Sequence, residues 1–107
     1  LIVGSGNIVH NLRRIVWETT AKPYDWAVEF DQWSKQKILA RDHDALANDF
    51  LKTHAGQPSV PTNDHYWPLL YAAAASDSAD SIDFVFEGMQ NASISMRAVA
   101  YGLQNVT

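Results

Sequence analysis

The chain opens on an unbroken apolar run, Leu1, Ile2 and Val3, which stops at Gly4-Ser5-Gly6. Such a run, bounded by a tight turn, predicts a strand buried on both faces and favours a parallel α/β arrangement. After a segment holding Asn11, Leu12 and Trp17 the period changes. Trp26, Phe30 and Trp33 recur at i, i+4 and i+7, with Pro23 placed for a first turn. This spacing predicts a helix from Pro23 to about residue 40 with one apolar face. Asp42 can cap a second helix, in which Leu46, Phe50 and Leu51 form the buried stripe while Asp44, Asn48 and Lys52 face water.

Gly56, Pro58 and Pro61 then predict a loop. A third helix is expected from Thr62 or Asp64, with Pro68 tolerated near its first turn. Residues 69–75 are apolar on every side, which predicts a centrally buried helix. Residues 76–81 form a polar linker. Beyond it Ile82, Phe84 and Phe86 alternate with Asp83, Val85 and Glu87, and a second alternating run covers 94–98, so two strands are expected. No internal repeat, low-complexity tract or second domain boundary interrupts residues 1–107. The predicted fold class is α/β, with a central, mostly parallel or mixed sheet flanked by helices in a sandwich.

Length and composition narrow the function classes. The 107 residues are 47% hydrophobic, enough for one core. The net charge of −4 and the scattered Lys and Arg give no electrostatic footprint for nucleic acid or an anionic membrane. With no cysteine, there can be no disulfide framework, thiolate metal site or cysteine nucleophile. Any metal must use His and carboxylate, and a reducing, cytoplasmic setting is the simplest fit. The first residues carry no initiator Met or basic leader and are too short to span a bilayer. They read as an interior strand, so the chain is expected to be a piece of something longer.

Two histidines stand at positions where chemistry is plausible. His10 follows the two glycines and would reach the carboxyl end of the sheet, where open α/β sheets bind ligands. It could act there as acid or base, although an interior His bonded to a carbonyl is an equally open reading. His65 is expected in the first turn of the third helix, where the dipole disfavours imidazolium and leaves the neutral, metal-ligating form. An ordinary cap neighbour is the alternative there. His43, between Asp42 and Asp44, and His54 belong to a solvated face, since adjacent helical residues diverge too far to share an ion. Arg97 could bind a substrate carboxylate or pair with a structural acid. The Gly4-x-Gly6 pair begins a dinucleotide fingerprint, but Val9 occupies the third glycine position and Glu29 falls within the first helix. No P-loop or Ser-His-Asp order is present.

Four strings then fall in a familiar order and spacing: GSGNIVHNL, PYDWAVEFDQW, PTNDHYWPLLYA and SISMRA. Together they span nearly the whole chain and resemble the C-terminal half of the DOPA-type class III extradiol ring-cleavage dioxygenases. The first and third strings are the more specific. Ala92 departs from the pattern, which leads one to expect a glycine ahead of SISMR, and the change should tighten that loop.

The resemblance implies an α/β catalytic domain, of which residues 1–107 would be a single C-terminal segment. It implies one non-haem Fe(II), sometimes replaced by zinc, and meta cleavage of a catechol-class aromatic such as DOPA with O2, giving a muconic semialdehyde. His10 would be the acid-base residue beside the metal, touching the ion when no substrate is bound. His65 would fill the ligand position that other members give to a glutamate, a variant of the facial triad. Two further histidine ligands would come from an N-terminal half outside this chain. These residues alone are therefore expected to be inactive, and an incomplete sheet is expected to favour self-association. A non-catalytic remnant or binding module with the same fold is the rival reading.

Overall fold

Helix α1 (Asp25–Leu39) forms where the aromatic spacing predicted it, in a computed structural model that describes residues 1–103. Its inner face is Ala27, Phe30, Asp31, Ser34 and Ile38, all buried. Trp26 and Trp33 bracket that stripe and pack against it half-buried. The aromatic residues thus marked the correct helix, with the line of burial running between the large rings.

Asp42 caps the next helix as expected: its Oδ1 accepts the Ala45 N–H at 3.1 Å at the start of α2 (His43–Asn48). Ala45 and Leu46 point inward. Because α2 ends at Asn48, Phe50 and Leu51 leave the helical stripe; Phe50 is buried from the turn that follows, whereas Leu51 is exposed. The loop predicted at Gly56 winds into a single turn, α3 (Gly56–Ser59). Pro58 falls in its first turn, where a missing N–H loses no helical partner. Gly56 is required there because a Cβ would lie 1.7 Å from the Phe50 carbonyl oxygen.

Helix α4 (Trp67–Ala75) begins after a 3-10 turn (Asn63–His65), with Pro68 in its opening turn. It is not centrally buried. Only Ala73 is fully covered, and Tyr71 is 71% exposed. One side packs against α2, while Pro68, Leu69 and Ala72 line an open groove. An apolar helix can face such a groove when its small residues need no covering partner.

Strand β1 (Ile82–Phe86) lies where alternation predicted it. The run expected over 94–98 is broken in two. Strand β3 (Ile94–Ser95) pairs with β2 (Met89–Gln90), whereas β4 (Ala98–Tyr101) pairs with β1. Met96 and Arg97 fall between, because the Arg97 side chain turns inward to the Asp31 carboxylate. The β2–β3 connection contains Asn91 at φ 53° and Ala92 at φ 66°, both left-handed. The left-handed region explains the glycine expected at 92: an alanine there carries a strain of roughly 1 kcal/mol.

The strand expected at residues 1–3 does not form. Leu1, Ile2 and Val3 are 118%, 63% and 80% exposed and pair with no neighbour. A strand satisfies its backbone polar groups only by pairing with adjacent strands, and none of the described strands pairs with this run. Both sheets formed by the described residues are two-stranded and antiparallel, so these residues build no parallel sheet among themselves. The architecture is a small α/β assembly of helices with two antiparallel ladders. Its core joins Ile8 and Val9 to Phe30, Ile38, Leu46, Phe50 and Tyr66.

A buried ion pair fastens α1 to the sheet side. Arg97 donates through Nε to Asp31 Oδ1 at 3.1 Å and through Nη2 to Oδ2 at 2.7 Å, with side chains 2% and 7% exposed. Its Nη1 reaches Glu87 at 2.6 Å, and the guanidinium lies over the Phe84 ring. Removing one member of a buried pair leaves the other uncompensated. Arg97→Met should therefore lower unfolding free energy by about 3–5 kcal/mol, read as a lowered urea midpoint.

Candidate functional site

The site is built on a strap, residues 7–11, that runs between three distant segments. Its backbone is fixed at every residue but one. The Asn7 N–H donates to the His65 carbonyl at 2.9 Å, the His10 N–H to the Ser59 carbonyl at 2.9 Å, and the Asn11 N–H to the Ser93 carbonyl at 3.2 Å. The Val9 carbonyl accepts the Ser95 N–H at 3.0 Å, and His10 forms an isolated antiparallel bridge with Ile94. Side chains repeat these ties. Asn7 Nδ2 donates to the Ser95 carbonyl at 2.8 Å, Asn11 Nδ2 to the Pro58 carbonyl at 2.8 Å, and Ser93 Oγ to the Asn11 carbonyl at 2.7 Å. Ile8 and Val9 are buried in the core. His10 is thus held at the edge of a short antiparallel ladder and not at the carboxyl end of a parallel strand.

His65 is presented by a different device. It is the last residue of the 3-10 turn before α4, two residues ahead of the helix that was expected to contain it. The next residue, Tyr66, anchors this turn: its hydroxyl donates to the Leu46 carbonyl at 2.7 Å, and its ring stacks on Phe50 with centroids 4.5 Å apart. Burial drives the Tyr66 phenol well above its ordinary pKa of 10.0, so it remains a donor.

The strap and the turn meet through the two glycines. A Cβ on Gly6 would lie 2.2 Å from the His65 carbonyl oxygen, and one on Gly4 would lie 2.6 Å from the Pro68 carbonyl oxygen. Neither glycine has a positive φ. Their contribution is close backbone approach, where a sharp turn had been expected from sequence.

As a result the His10 and His65 rings stack, with centroids 3.8 Å apart and planes inclined by 22°. Burial first, and then the neighbouring His65, press the His10 pKa below the ordinary 6.5; a hydrogen bond within its own backbone and the Asp64 carboxylate pull the other way. The net result is a neutral imidazole at neutral pH, able to accept a proton. Asp64 Oδ2 sits 3.6 Å from His65 Nε2. His65 also lies on the wall of an open groove of about 740 Å³, together with Gly6, Pro68, Leu69, Val99 and Tyr101.

The donors match an imidazole-binding ion in kind but not in number. Among the described residues no group of three or more His, Cys, Asp and Glu is placed to hold a metal. Iron or zinc bound here would need ligands beyond His10 and His65.

The remaining candidates add no group to the histidine pair, although Arg97 also borders the groove. His43 and His54 are exposed. Arg97 pairs with the structural acids Asp31 and Glu87 and is committed to them. Glu29 is on the outer side of α1, and Gly4-x-Gly6 opens no helix, so the dinucleotide fingerprint lacks its context. No described helix is long and apolar enough to cross a membrane.

Sequence reasoning missed Asn7, Asn11, Ser93, Ser95, Asp31 and Tyr66 as the parts that fix the two rings. A signal existed for Asp31, a carboxylate on the apolar stripe of α1 one residue from Phe30, with Arg97 as a buried partner of opposite charge. The serines and asparagines bond mainly to backbone groups of distant segments, which no local pattern announces.

The chain as a whole has relatives among known proteins. No known family profile matches the chain. It is 37% identical over 105 residues to the 4,5-DOPA dioxygenase extradiol of Escherichia coli strain K12, across 95% of this chain and 38% of that protein. The chain thus spans less than half the length of the curated relative it matches. A crystal structure of an uncharacterized protein from Escherichia coli K12 superposes with a TM-score of 0.80 at 37% identity, covering 89% of this chain and 40% of the other.

The glycine contact generates a direct test. Gly6→Ala forces a methyl group onto the His65 carbonyl, so the strap must shift, at a cost of about 1–3 kcal/mol. The urea midpoint should fall accordingly, whereas Gly88→Ala, where the nearest atoms lie 3.2 Å away on the movable Phe86 ring, should change it far less.

Proposed function

We propose that this chain, related along nearly its whole length to an extradiol DOPA dioxygenase, supplies His10 and His65 to a site for meta ring cleavage of a catechol-class aromatic. The observation that carries the reading is the stacking of these two imidazoles, 3.8 Å apart, from segments that are distant in sequence. In this reading residues 1–107 are a C-terminal segment of the catalytic domain. A larger central sheet, with parallel or mixed strands, takes shape only with the rest of the polypeptide.

His65 would hold the metal ion, with His10 beside it and in contact with it before substrate arrives. Fe(II) is the ion expected, and zinc the alternative. Bound ferrous iron would supply open positions that bring a catechol and dioxygen together, so that proximity replaces a bimolecular encounter. The chain's own contribution is acid-base and positional. His10, neutral and half-buried, would accept the proton of a catechol hydroxyl and later return it. The backbone ties on both sides of His10 hold that ring in place, which limits reorganisation during proton transfer. The groove beside His65 is within the size range of small-molecule sites and would admit an aromatic ring. Cleavage beside the hydroxyls would give a muconic semialdehyde.

The partner required is the remainder of the polypeptide that the relatives carry, as the source of the missing ligands. The exposed apolar residues at Leu1, Ile2, Val85 and Phe86 also favour self-association when that partner is absent. The lack of cysteine suits a reducing, cytoplasmic setting.

A second reading, a non-catalytic remnant or binding module, is favoured by the shortage of metal donors among the described residues. Iron analysis separates the two. In the longer protein, His65→Ala should strip bound iron if the ring-cleavage reading holds, and unchanged iron content would favour the remnant. The 107-residue chain loaded with Fe(II) should consume no oxygen with DOPA above background, and uptake at an enzymic rate would show that two histidines suffice.

A further inference from the structure

The two rings meet only if residues 7–11 keep their position, and one support for that position leads back, through Ser95, to α1. Ser95 stands at the junction. Its N–H holds the Val9 carbonyl at 3.0 Å, and its own carbonyl holds Asn7 Nδ2 at 2.8 Å. It therefore grips the strap on both sides of Ile8, beside the Ile94 bridge to His10. Ser95 is fixed in turn through its hydroxyl, which donates to Asp31 Oδ1 at 2.5 Å and accepts the Arg97 N–H at 3.2 Å. A hydrogen bond that short to a carboxylate is of the strong, charge-assisted kind. Asp31 is immobilised by the two-point contact with Arg97, and Ser95, Asp31 and Arg97 are all buried.

We propose that Asp31 is a positioning residue for His10, acting through the Ser95 hydroxyl to hold the strap where the His10 ring can stack on His65. Asp31 touches neither imidazole and is no catalytic residue. The inference rests on the reading of His10 and His65 as the reacting pair only for its functional meaning; the mechanical link stands on the hydrogen bonds alone.

The proposal separates positioning from bulk stability. Asp31 also neutralises Arg97, so Asp31→Asn disturbs the ion pair and can lower folding as a whole. Ser95→Ala removes only the hydroxyl relay and leaves the contact between Asp31 and Arg97 in place. Ile38→Ala, in the buried face of α1 and two turns beyond Asp31, is the control: it opens a core cavity without removing any group of the relay.

The readout is the proton NMR of the histidine rings. Stacked rings shield each other, so His10 and His65 should resonate upfield of the exposed His43 and His54. In Ser95→Ala the upfield displacement should collapse toward the values of the exposed histidines, and folded Asp31→Asn should behave alike. In Ile38→Ala it should persist despite lowered stability. Stacking unchanged in Ser95→Ala overturns the proposal, as does equal loss in Ile38→Ala, which would make the effect one of general loosening. The functional reading is judged separately. Stacking lost in Ser95→Ala, together with iron content unaffected by His65→Ala, would support Asp31 as a positioning residue and refute the metal site.

Discussion

The contact between the Asn7 N–H and the His65 carbonyl, with Gly6 pressed against the same oxygen, is the constraint on which the site depends. It joins a strap that has no regular secondary structure of its own to a turn nearly sixty residues further along the chain. One hydrogen bond of this type is worth only about 1 kcal/mol net. Its importance is geometric, because it sets the distance between two backbones that each carry an imidazole. A side chain at position 6 would widen that distance, and the facing of the rings would be lost. The aromatic and aliphatic core on the far side, from Phe30 through Tyr66 to Leu46, serves to make both backbones rigid enough for the contact to matter.

Buried polarity is concentrated around this constraint. Asp31, Ser95, Arg97, Ser93 and Asn11 are all buried, and each has a partner from another segment. An ion pair of this kind adds little net stability over a well-packed apolar substitute, since removing both charges from water is costly. What it supplies is one arrangement in preference to others. An apolar contact between α1 and residues 93–97 could slide by a fraction of a side chain, whereas the two-point fit of Arg97 to Asp31 and the hydroxyl of Ser95 cannot. The continuation of the strand that alternation suggested over 94–98 is given up at Met96 and Arg97 to achieve this.

The helices were legible in sequence because their determinants are local. Trp26, Phe30 and Trp33 marked α1, Asp42 marked the start of α2, and alternation marked β1. Residues 1–3 misled, since an apolar run says that a segment can be buried but not which neighbour buries it. The body of α4 misled for a related reason: composition records an avoidance of charge, and small alanines avoid charge equally well beside an open groove. The motif strings brought His10 and His65 together as candidates, and the fold stacks their rings. The serines and asparagines that fix them went unseen because their partners are carbonyls, and a carbonyl has no sequence signature. Ala92 lies between these cases. The expected glycine pointed to a special backbone there, and φ 66° is that backbone, occupied by a residue with a Cβ.

The connectivity of the strap carries a consequence for how the molecule is made. Its partners are Ser59, His65 and residues 93–95, so some of its bonds close loops more than eighty residues long, as between Asn7 and Ser95 or Asn11 and Ser93. Loops of that length form slowly, after local helices such as α1 have already collapsed. During translation Ile8 and Val9 leave the ribosome long before their binding partners exist, and they remain available to chaperones or to a neighbouring nascent chain throughout that interval. The strap is thus made early and locked late, and the position of the His10 ring is fully fixed only once residues 93–95 have been made.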